Sequence, residues 1–388
     1  MKDLLSLIKA NGFENINQIE VFVLAPSVES EDENIEYYYD FTQSIAEYTN
    51  VFRNLNITWH WKQVNMLTYP IVIEEIQTIH QNQNTLPVVL NLCDGDEING
   101  TPGISVVKML AEKNIVYTGA DEFFYNITTS KIPMKKAFDD YGVPTPAWSS
   151  LSTNTMEYDK LFQELGNPII VKPAVSAGSM GVGVKNVVEG PSQLQTLLNE
   201  LAGGYRGWNL TADGFIAESF VNGPEYTTLI VGSYDDPENA MVFPPIERVF
   251  HDSLPEKEKF LSFERLWEIY ETETPMPHGE HFYEYQPAAQ EYVEAIKKVS
   301  WDAFVSNKGK GYTRVDLRMD SISKKIYVLE VNAQCGLSED ENYTSIGAIL
   351  KFAQTSFTSL VEMILTDALI RHNRLKNVSE KKDNPVNV

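Results

Sequence analysis

Apolar runs alternate with amphipathic stretches along the first part of the chain. Residues 20–26 and 86–92 are apolar runs of strand length, and each ends in turn-forming residues. The segments 34–55 and 104–114 show the spacing of amphipathic helices. Strands that alternate with helices in this way predict an α/β domain with a parallel sheet, which we expect to occupy residues 1–122.

The pattern changes in the middle of the chain. A helix is predicted over 131–141, and PIIVKPAVSAGSMGVGVKNV (168–187) predicts two strands around a glycine-rich turn. The segment FIAESFVNGPEYTTLIVG (215–232) predicts another strand pair, joined through Asn222-Gly223-Pro224. We expect a central domain over 123–214, ending before this second strand pair.

The C-terminal part combines strands and long helices. GYTRVDLRMD (311–320) and KKIYVLEVNA (324–333) alternate charged with apolar residues and predict paired strands. A single closing helix is predicted over 346–370. We expect a C-terminal domain over 215–375 and a polar, frayed tail over 376–388.

Composition narrows the class of protein. The 388 residues carry 31 basic and 54 acidic side chains, a net charge of −23, which argues against binding nucleic acid through phosphate contacts. Cys93 and Cys335 form no CxxC or zinc pattern and predict free thiols in a reducing cytosol. No apolar run approaches the ~18 residues of a membrane span, and the first residues lack a secretory signal. These features predict a cytoplasmic protein with neither nucleic acid nor membrane as partner.

Three polar residues on the predicted strand pair suggest a metal site. Glu330 and Asn332 are two apart and therefore share a strand face, which Asp316 joins if the strands pair. Carboxylate and amide oxygens suit Mg²⁺, with phosphate oxygens completing its shell. Arg314 shares the face of Asp316 and could reach an anion held there. An ordinary charged strand face explains the same pattern about equally well.

The glycine-rich turn is a candidate phosphate site. Lys172 emerges from an apolar strand, where a lysine must find an anion or shift its pKa. The following loop 176–183 offers free backbone N–H groups and two hydroxyls, which come from Gly178, Gly181, Gly183, Ser176 and Ser179. A plain glycine-rich hairpin is the better interpretation of the loop in isolation, and Lys172 shifts the balance toward phosphate.

Three further residues are ambiguous by themselves. Glu218 and Glu225 flank FVNGP, where an extended backbone could read an adenine edge and a carboxylate could take ribose hydroxyls. Solvated acids on a hairpin are the stronger interpretation of these two glutamates alone. Lys131 lies on a predicted helix, where most lysines are simply solvated.

Taken in order, these segments resemble the ATP-grasp superfamily, and within it the D-alanine–D-alanine ligase family. The matching pieces run from about residue 88 to 365 and include TSKIPMKKAFDDYGVPTPAW and GYTRVDLRMDSISKKIYVLEVNAQCGLS. The resemblance implies a mixed α/β and α+β fold of three domains. These are an N-terminal parallel-sheet domain, a central lid domain, and a C-terminal antiparallel-sheet catalytic domain.

The resemblance also implies roles for individual residues. At the ATP phosphates it implies Lys131, Lys172 and the closing loop with Ser176, Gly178, Ser179 and Gly181. At the adenine it implies Glu218 with the Phe220 and Val221 backbone, and at the ribose Glu225. It implies Asp316, Glu330 and Asn332 at Mg²⁺, for which Mn²⁺ is expected to substitute. The catalytic groups it implies are Arg314, the Gly336 backbone and Ser179.

The substrate half departs from the family pattern. No residue in VFVLAPSVESEDEN matches the glutamate that orients the first D-alanine, and Asp94 stands where the family has a histidine. After Gly336 the chain runs SEDENYTS, where Thr344 and Ser345 could each fill the usual serine position. These departures predict a pocket that is not built for two D-alanines.

The sequence therefore predicts an ATP-dependent carboxylate–amine ligase that works through an acyl phosphate. Its expected substrates are amino acids, or a small carboxylic acid and an amino acid. Three alternatives stay open: a catalytically silent nucleotide-binding regulator, a true D-alanine–D-alanine ligase, and a partner-binding protein that uses the acidic, aromatic region 233–290. A homodimer is the assembly to test.

Overall fold

The computed structural model contains three sheets, and one hydrophobic core is shared by the N-terminal and C-terminal sheets. The described residues are 3–82, 85–151, 158–270, 273–276 and 280–383. The parallel and antiparallel sheets confirm the predicted mixed α/β and α+β class.

The N-terminal sheet is parallel, with the strand order β2-β1-β3-β4. Strands β1 and β3 are almost wholly buried because helices cover both faces of the sheet. The elements of this part are α1 (Leu4–Ala10), β1 (Ile19–Pro26), α2 (Ile35–Tyr38), α3 (Thr42–Leu55), β2 (Thr58–Val64), α4 (Tyr69–Asn82), β3 (Leu86–Asn91), α5 (Ile104–Glu112) and β4 (Val116–Tyr117).

The central sheet is antiparallel, with the order β5-β8-β6-β7. Leucines of α8 and α9 pack on it, and they form a core separate from that of the N-terminal sheet. The elements are α6 (Glu122–Thr129), α7 (Lys131–Tyr141), β5 (Trp148–Leu151), α8 (Tyr158–Leu165), β6 (Ile169–Pro173), β7 (Val187–Val188), α9 (Pro191–Ala202) and β8 (Phe215–Ser219).

The C-terminal sheet is antiparallel, with the order β12-β11-β9-β13-β14 and with β10 paired to β9. Its middle strand β9 is buried along its whole length, since neighbouring strands and helices enclose it. The elements are β9 (Glu225–Ser233), β10 (Met241–Val242), β11 (Ile246–Phe250), α10 (Phe263–Leu266), β12 (Tyr283–Pro287), α11 (Gln290–Ser306), β13 (Lys310–Met319), β14 (Ile326–Ala333), α12 (Ser345–Phe352) and α13 (Phe357–Asp383).

Both strands predicted over 215–232 are present, but the prediction that they pair with each other is wrong. Strand β8 pairs with β5 and β6 in the central sheet, whereas β9 pairs with β11 and β13. The connection does not close a hairpin, because Asn222 and Pro224 use their carbonyls to bond Ser321 and Met319 instead. The predicted domain boundary after residue 214 therefore cuts off one strand of the central sheet.

The predicted closing helix is two helices. Gln354 has a left-handed φ of 51°, and the N–H groups of Gln354 and Thr355 bond back to Lys351 and Leu350. This pattern is a Schellman cap, which ends α12 before α13 begins. The polar segment expected to fray is helical as far as Asp383, and residues 384–388 lie outside the described part.

Within the described residues, no single helix has both the length and the apolar composition of a membrane span. Helices α12 and α13 pass that test only when taken together, and they meet at 103°.

Candidate active site

A cavity of about 580 Å³ lies between the central and C-terminal sheets. This volume lies within the usual range for small-molecule sites. Strands β6 and β8 line it from one side, and β13 and β14 line it from the other. The glycine-rich loop after β6 and the loop after β14 form its rims.

Two lysines meet one buried glutamate in the wall of this cavity. Glu218 on β8 is 1% exposed, and its two carboxylate oxygens pair with different ammonium groups. Lys172 Nζ lies 2.6 Å from Oε2, and Lys135 on α7 pairs with Oε1. Lys135 also donates to Thr145 Oγ1 at 2.6 Å. The carboxylate of Glu218 is therefore taken up by lysines, which departs from its expected contact with adenine.

The charge state of this cluster follows from its pairing. Burial raises the pKa of Glu218, but the charges of Lys135 and Lys172 outweigh burial and lower this pKa to about 2. Burial lowers the pKa of Lys135, and the charge of Glu218 opposes that lowering. Glu218 is thus ionised at neutral pH.

The metal-ligand candidates face each other across two paired strands. Asp316 on β13 is directly opposite Glu330 on β14, and Arg314 is opposite Asn332. A register shift follows Asp316 in the ladder. All four residues line the cavity. The predicted strand pairing, and with it the shared face, is present in the structure.

Each charged group among these four residues has a partner of opposite charge. Arg314 holds Asp316 with Nη2 and Nε at 2.8 and 2.9 Å. Asn332 Nδ2 and Thr227 Oγ1 both donate to Asp316 at 2.8 Å. Burial raises the pKa of Asp316, but Arg314 outweighs burial and lowers it below its ordinary value. Lys131 Nζ lies 3.5 Å from Glu330.

The donor set suits a hard divalent cation. Two carboxylates and an amide share the face, and hard oxygen donors are what Mg²⁺ prefers. Among the described residues no group of three His, Cys, Asp or Glu side chains stands close enough to hold a metal by itself. The remaining ligands of an ion between Asp316 and Glu330 would come from the Asn332 amide and from substrate.

The glycine-rich loop adopts the left-handed backbone that its glycines permit. Gly178 and Gly181 have φ of 54° and 73°, and Ser179 between them has 60°. Ser176, Gly178 and Ser179 line the cavity. Gly181 does not: a Cβ there would lie 2.4 Å from the side chain of Leu210, so this glycine serves close packing behind the loop.

A segment after β11 covers the glycine-rich loop. Trp267 Nε1 donates to the Gly178 carbonyl at 3.3 Å, and Ser179 Oγ donates to the Leu261 carbonyl at 3.2 Å. From the N-terminal part, the Tyr38 ring lies 4.7 Å from that of Trp267. This part of the 233–290 region therefore holds the loop from outside.

The expected ribose contact is also an ion pair. Glu225 on β9 pairs with Arg248 on β11, and the guanidinium lies 5.1 and 5.5 Å from the rings of Tyr283 and Tyr285. Phe220 and Val221 line the cavity next to Glu225. Arg318 donates to the Gly223 carbonyl at 3.1 Å, which fixes the link between the two sheets.

A second part of the cavity lining, which we call the substrate end, contains Asp94 and Asp96 and lacks these pairs. Asp94 is exposed there, and no lysine or arginine of the described residues forms an ion pair with it. Surrounding protein atoms displace water from the carboxylate, and this desolvation together with the charge of Asp96 raises the pKa of Asp94 to about 6. Gly336, Thr344 and Ser345 also line the cavity, and a Cβ at Gly336 would meet nothing within 4 Å.

The cavity thus gathers almost every residue singled out from the sequence. Those that line it are Lys131, Lys172, Ser176, Gly178, Ser179, Glu218, Phe220, Val221, Glu225, Arg314, Asp316, Glu330, Asn332 and Gly336. Sequence reasoning missed Lys135, Arg248 and Trp267. The apolar spacing of α7 could have flagged Lys135 as a lysine on a buried face, but the other two carry no comparable signal.

Three sheets around such a cavity define an ATP-grasp fold, and two solved structures share it. The D-alanine–D-alanine ligase of Bacillus anthracis superposes with a TM-score of 0.64 at 18% identity, covering 92% of this chain and 99% of that one. The ligase of Coxiella burnetii gives 0.64 at 14% identity, covering 94% and 99%. Identities this low concern the fold alone.

The chain belongs to the D-ala D-ala ligase C-terminus family, whose model matches residues 137–366. The resemblance predicted from the sequence is confirmed. The uncharacterized protein y4sG of Sinorhizobium fredii is 27% identical over 298 residues, 74% of this chain and 76% of that protein. The D-alanine–D-alanine ligase of Halorhodospira halophila is 28% identical over 255 residues, 66% of this chain and 71% of that protein.

Proposed function

We propose that this protein is an ADP-forming ligase that joins a carboxylate to an amine through an acyl phosphate. Its family and its ligase relatives indicate an ATP-dependent carbon–nitrogen ligase, the class predicted from the sequence. The observation that carries the proposal is the convergence in one cavity of cationic side chains with a pair of carboxylates on facing strands.

The chemistry explains why such a site needs both charge and cover. A carboxylate is a poor acyl donor, because its leaving group would be oxide. Transfer of the γ-phosphoryl group of ATP to the carboxylate creates a good leaving group, an amine then attacks the acyl carbon, and phosphate departs. An enzyme contributes mainly positioning and neutralisation of the phosphoryl charge, in a site that excludes water.

In this proposal Lys131 and Lys172 contact the phosphates, and the loop 176–183 closes over them. Both ammonium groups now lie on carboxylates, so each would exchange that partner for phosphate or share it. The backbone at Phe220 and Val221 takes the adenine, since the Glu218 carboxylate is held by lysines. Glu225, paired with Arg248, borders the ribose.

The metal in this proposal is Mg²⁺, with Mn²⁺ able to replace it. Asp316, Glu330 and Asn332 would hold it, and it would supply charge neutralisation at the phosphates. Arg314 lies beside Asp316 and is suited to an anion near it. With the Gly336 backbone and Ser179, it would stabilise negative charge that develops on the transferring group.

We propose further that the substrates are not two D-alanines. Asp94 is a carboxylate at the substrate end, and no lysine or arginine in the described part of the chain pairs with it. It favours a substrate with a cationic group and disfavours a second carboxylate nearby. The expected substrates are small molecules, and we propose that the protein acts in the cytoplasm. Its oligomeric state can be measured by light scattering.

Mass spectrometry of products tests both proposals. The chain is incubated with Mg-ATP and pooled amino acids, and ADP release is followed in parallel. We expect ADP together with an amide or dipeptide product other than D-alanyl-D-alanine. No ADP release with any pool would contradict the ligase proposal. A kcat/KM for D-alanyl-D-alanine above that of every other pair would contradict the substrate proposal alone.

A further inference from the structure

Lys135 is a buried lysine whose ammonium does not reach the cavity. Its side chain is 0% exposed, pairs with Glu218 and is hydrogen-bonded to Thr145. Thr145 in turn donates to the Val328 carbonyl at 2.9 Å, which ties this cluster to β14. A buried charge is costly even when paired, and an apolar residue would fill the same space on α7 at lower cost.

We propose that Lys135 is a positioning residue that keeps the nucleotide pocket positively charged; this rests on the ligase function proposed above. Glu218 and Lys172 alone would form a neutral pair. Because Lys135 occupies the other carboxylate oxygen of Glu218, the cluster of two lysines and one glutamate has a formal net charge of +1. The pocket wall therefore attracts a polyphosphate, which a neutral Glu218–Lys172 pair would not do.

The exposures of the two lysines assign them different tasks. Lys172 is 14% exposed and lines the cavity, so it can reach a ligand. Lys135 is enclosed, so it cannot touch a ligand and acts through Glu218 and through its charge. By competing for the carboxylate, Lys135 weakens the hold of Glu218 on Lys172 and leaves that ammonium available to phosphate. In a poorly solvated wall, one net charge acts strongly on an anion several ångströms away.

A purely structural role makes a different prediction. If Lys135 only satisfies a buried carboxylate, replacing it lowers the stability of the fold but leaves the ATP affinity of the folded protein unchanged. The two explanations therefore separate in a binding measurement, whatever happens to stability.

The experiment compares two adjacent lysines of α7 on the full chain. Lys135→Met removes the buried charge, and Lys136→Met removes an exposed charge from the same helix as the matched control. Calorimetry with Mg-ATP and no other substrate reads the affinity directly. We expect Lys135→Met to bind about tenfold more weakly or worse, and Lys136→Met to stay within about twofold of the parent. The KM for ATP should rise more than kcat falls.

A charge-restoring double variant completes the test. The double variant Lys135→Met, Glu218→Gln removes both charges and returns the formal net charge of the cluster to +1. Because it leaves no unpaired carboxylate, it can be measured even if the single variant fails to fold. We expect its ATP affinity to return to within about threefold of the parent. Parent-like affinity in folded Lys135→Met, or a double variant no tighter than the single one, would overturn the inference while leaving the ligase proposal intact. No binding of ATP by the parent would overturn both.

Discussion

The two ends of the cavity differ in whether their carboxylates are paired with cations. At the nucleotide end each of three carboxylates has a cationic partner: Glu218 has two lysines, Glu225 has Arg248, and Asp316 has Arg314. At the substrate end no lysine or arginine of the described residues forms an ion pair with Asp94, which is influenced by the charge of Asp96.

This difference suggests which parts of the site are fixed and which are open to change. Paired, buried charges are costly to alter one at a time, because removing one partner strands the other. An exposed carboxylate carries no such constraint and can be exchanged when the substrate changes. We infer that the nucleotide end keeps the chemistry of the family and that the substrate end sets specificity.

The largest effect is expected at the facing carboxylates. Glu330→Gln keeps the shape of the side chain but removes one charge from the proposed metal ligands. We expect kcat to fall about a hundredfold or more, with little change in the free energy of unfolding. Glu284→Gln on exposed β12 of the same sheet is the control and should leave kcat unchanged.

The partner residue shows whether the two carboxylates act as one unit. Asp316→Asn combined with Glu330→Gln should cost far less than the product of the single effects, because one missing ligand already disables the site. A kcat for Glu330→Gln within about threefold of the parent, a barrier change of only ~0.6 kcal/mol, would remove support for the metal assignment.

The next effect concerns nucleotide affinity. Lys172→Ala removes a charge-assisted contact worth ~1.5–3 kcal/mol, so ATP should bind roughly ten- to hundredfold more weakly in calorimetry. Lys185→Ala, in the exposed Lys185–Glu200 pair of the same hairpin region, provides the comparison and should bind ATP normally. Unchanged affinity in folded Lys172→Ala would refute its place at the phosphates.

Sequence patterns predicted the parts of this molecule where local spacing matches tertiary contact. The face shared by Glu330 and Asn332 follows from the strand period of two, and the pairing with Asp316 follows from adjacency in the chain. The helix at 131–141 has the predicted bounds. Each of these features is decided within about twenty residues of chain.

Sequence reasoning failed where partners are distant in the chain. Strands β8 and β9 are neighbours in sequence but belong to different sheets. The pairing of β8 with β6 and of β9 with β13 determines this, and the link between β8 and β9 does not. Strand β2 was missed because Trp59 and Trp61 alternate with polar residues and most of the strand is only half-buried at a sheet edge. The pairing of Glu218 with Lys135 joins residues 83 positions apart, and no local period reveals it.

A smaller effect is expected at the cover of the glycine-rich loop. Trp267→Ala removes the ring that contacts Gly178 and Tyr38. Water should then reach the acyl phosphate more often, so that the phosphate released per amide formed rises about twofold, with ATP affinity nearly unchanged. Trp267→Phe keeps the ring packing, so phosphate release should stay coupled to amide formation. A ratio of phosphate released to amide formed near one in Trp267→Ala would show that the cover does not protect the acyl phosphate.

The sharpest test of the difference between the two ends is a pH dependence at Asp94. Its pKa is raised to about 6 by the surrounding protein atoms and by Asp96, so the carboxylate takes up a proton as the pH falls through that value. Binding of a cationic substrate needs the charged form, and the KM for that substrate should therefore rise about three- to tenfold between pH 7.5 and pH 5. Asp94→Asn does not titrate, so its KM should be high and flat over the same range, while the KM for ATP stays at the parent value. If the parent and Asp94→Asn share one pH profile, Asp94 does not read substrate charge.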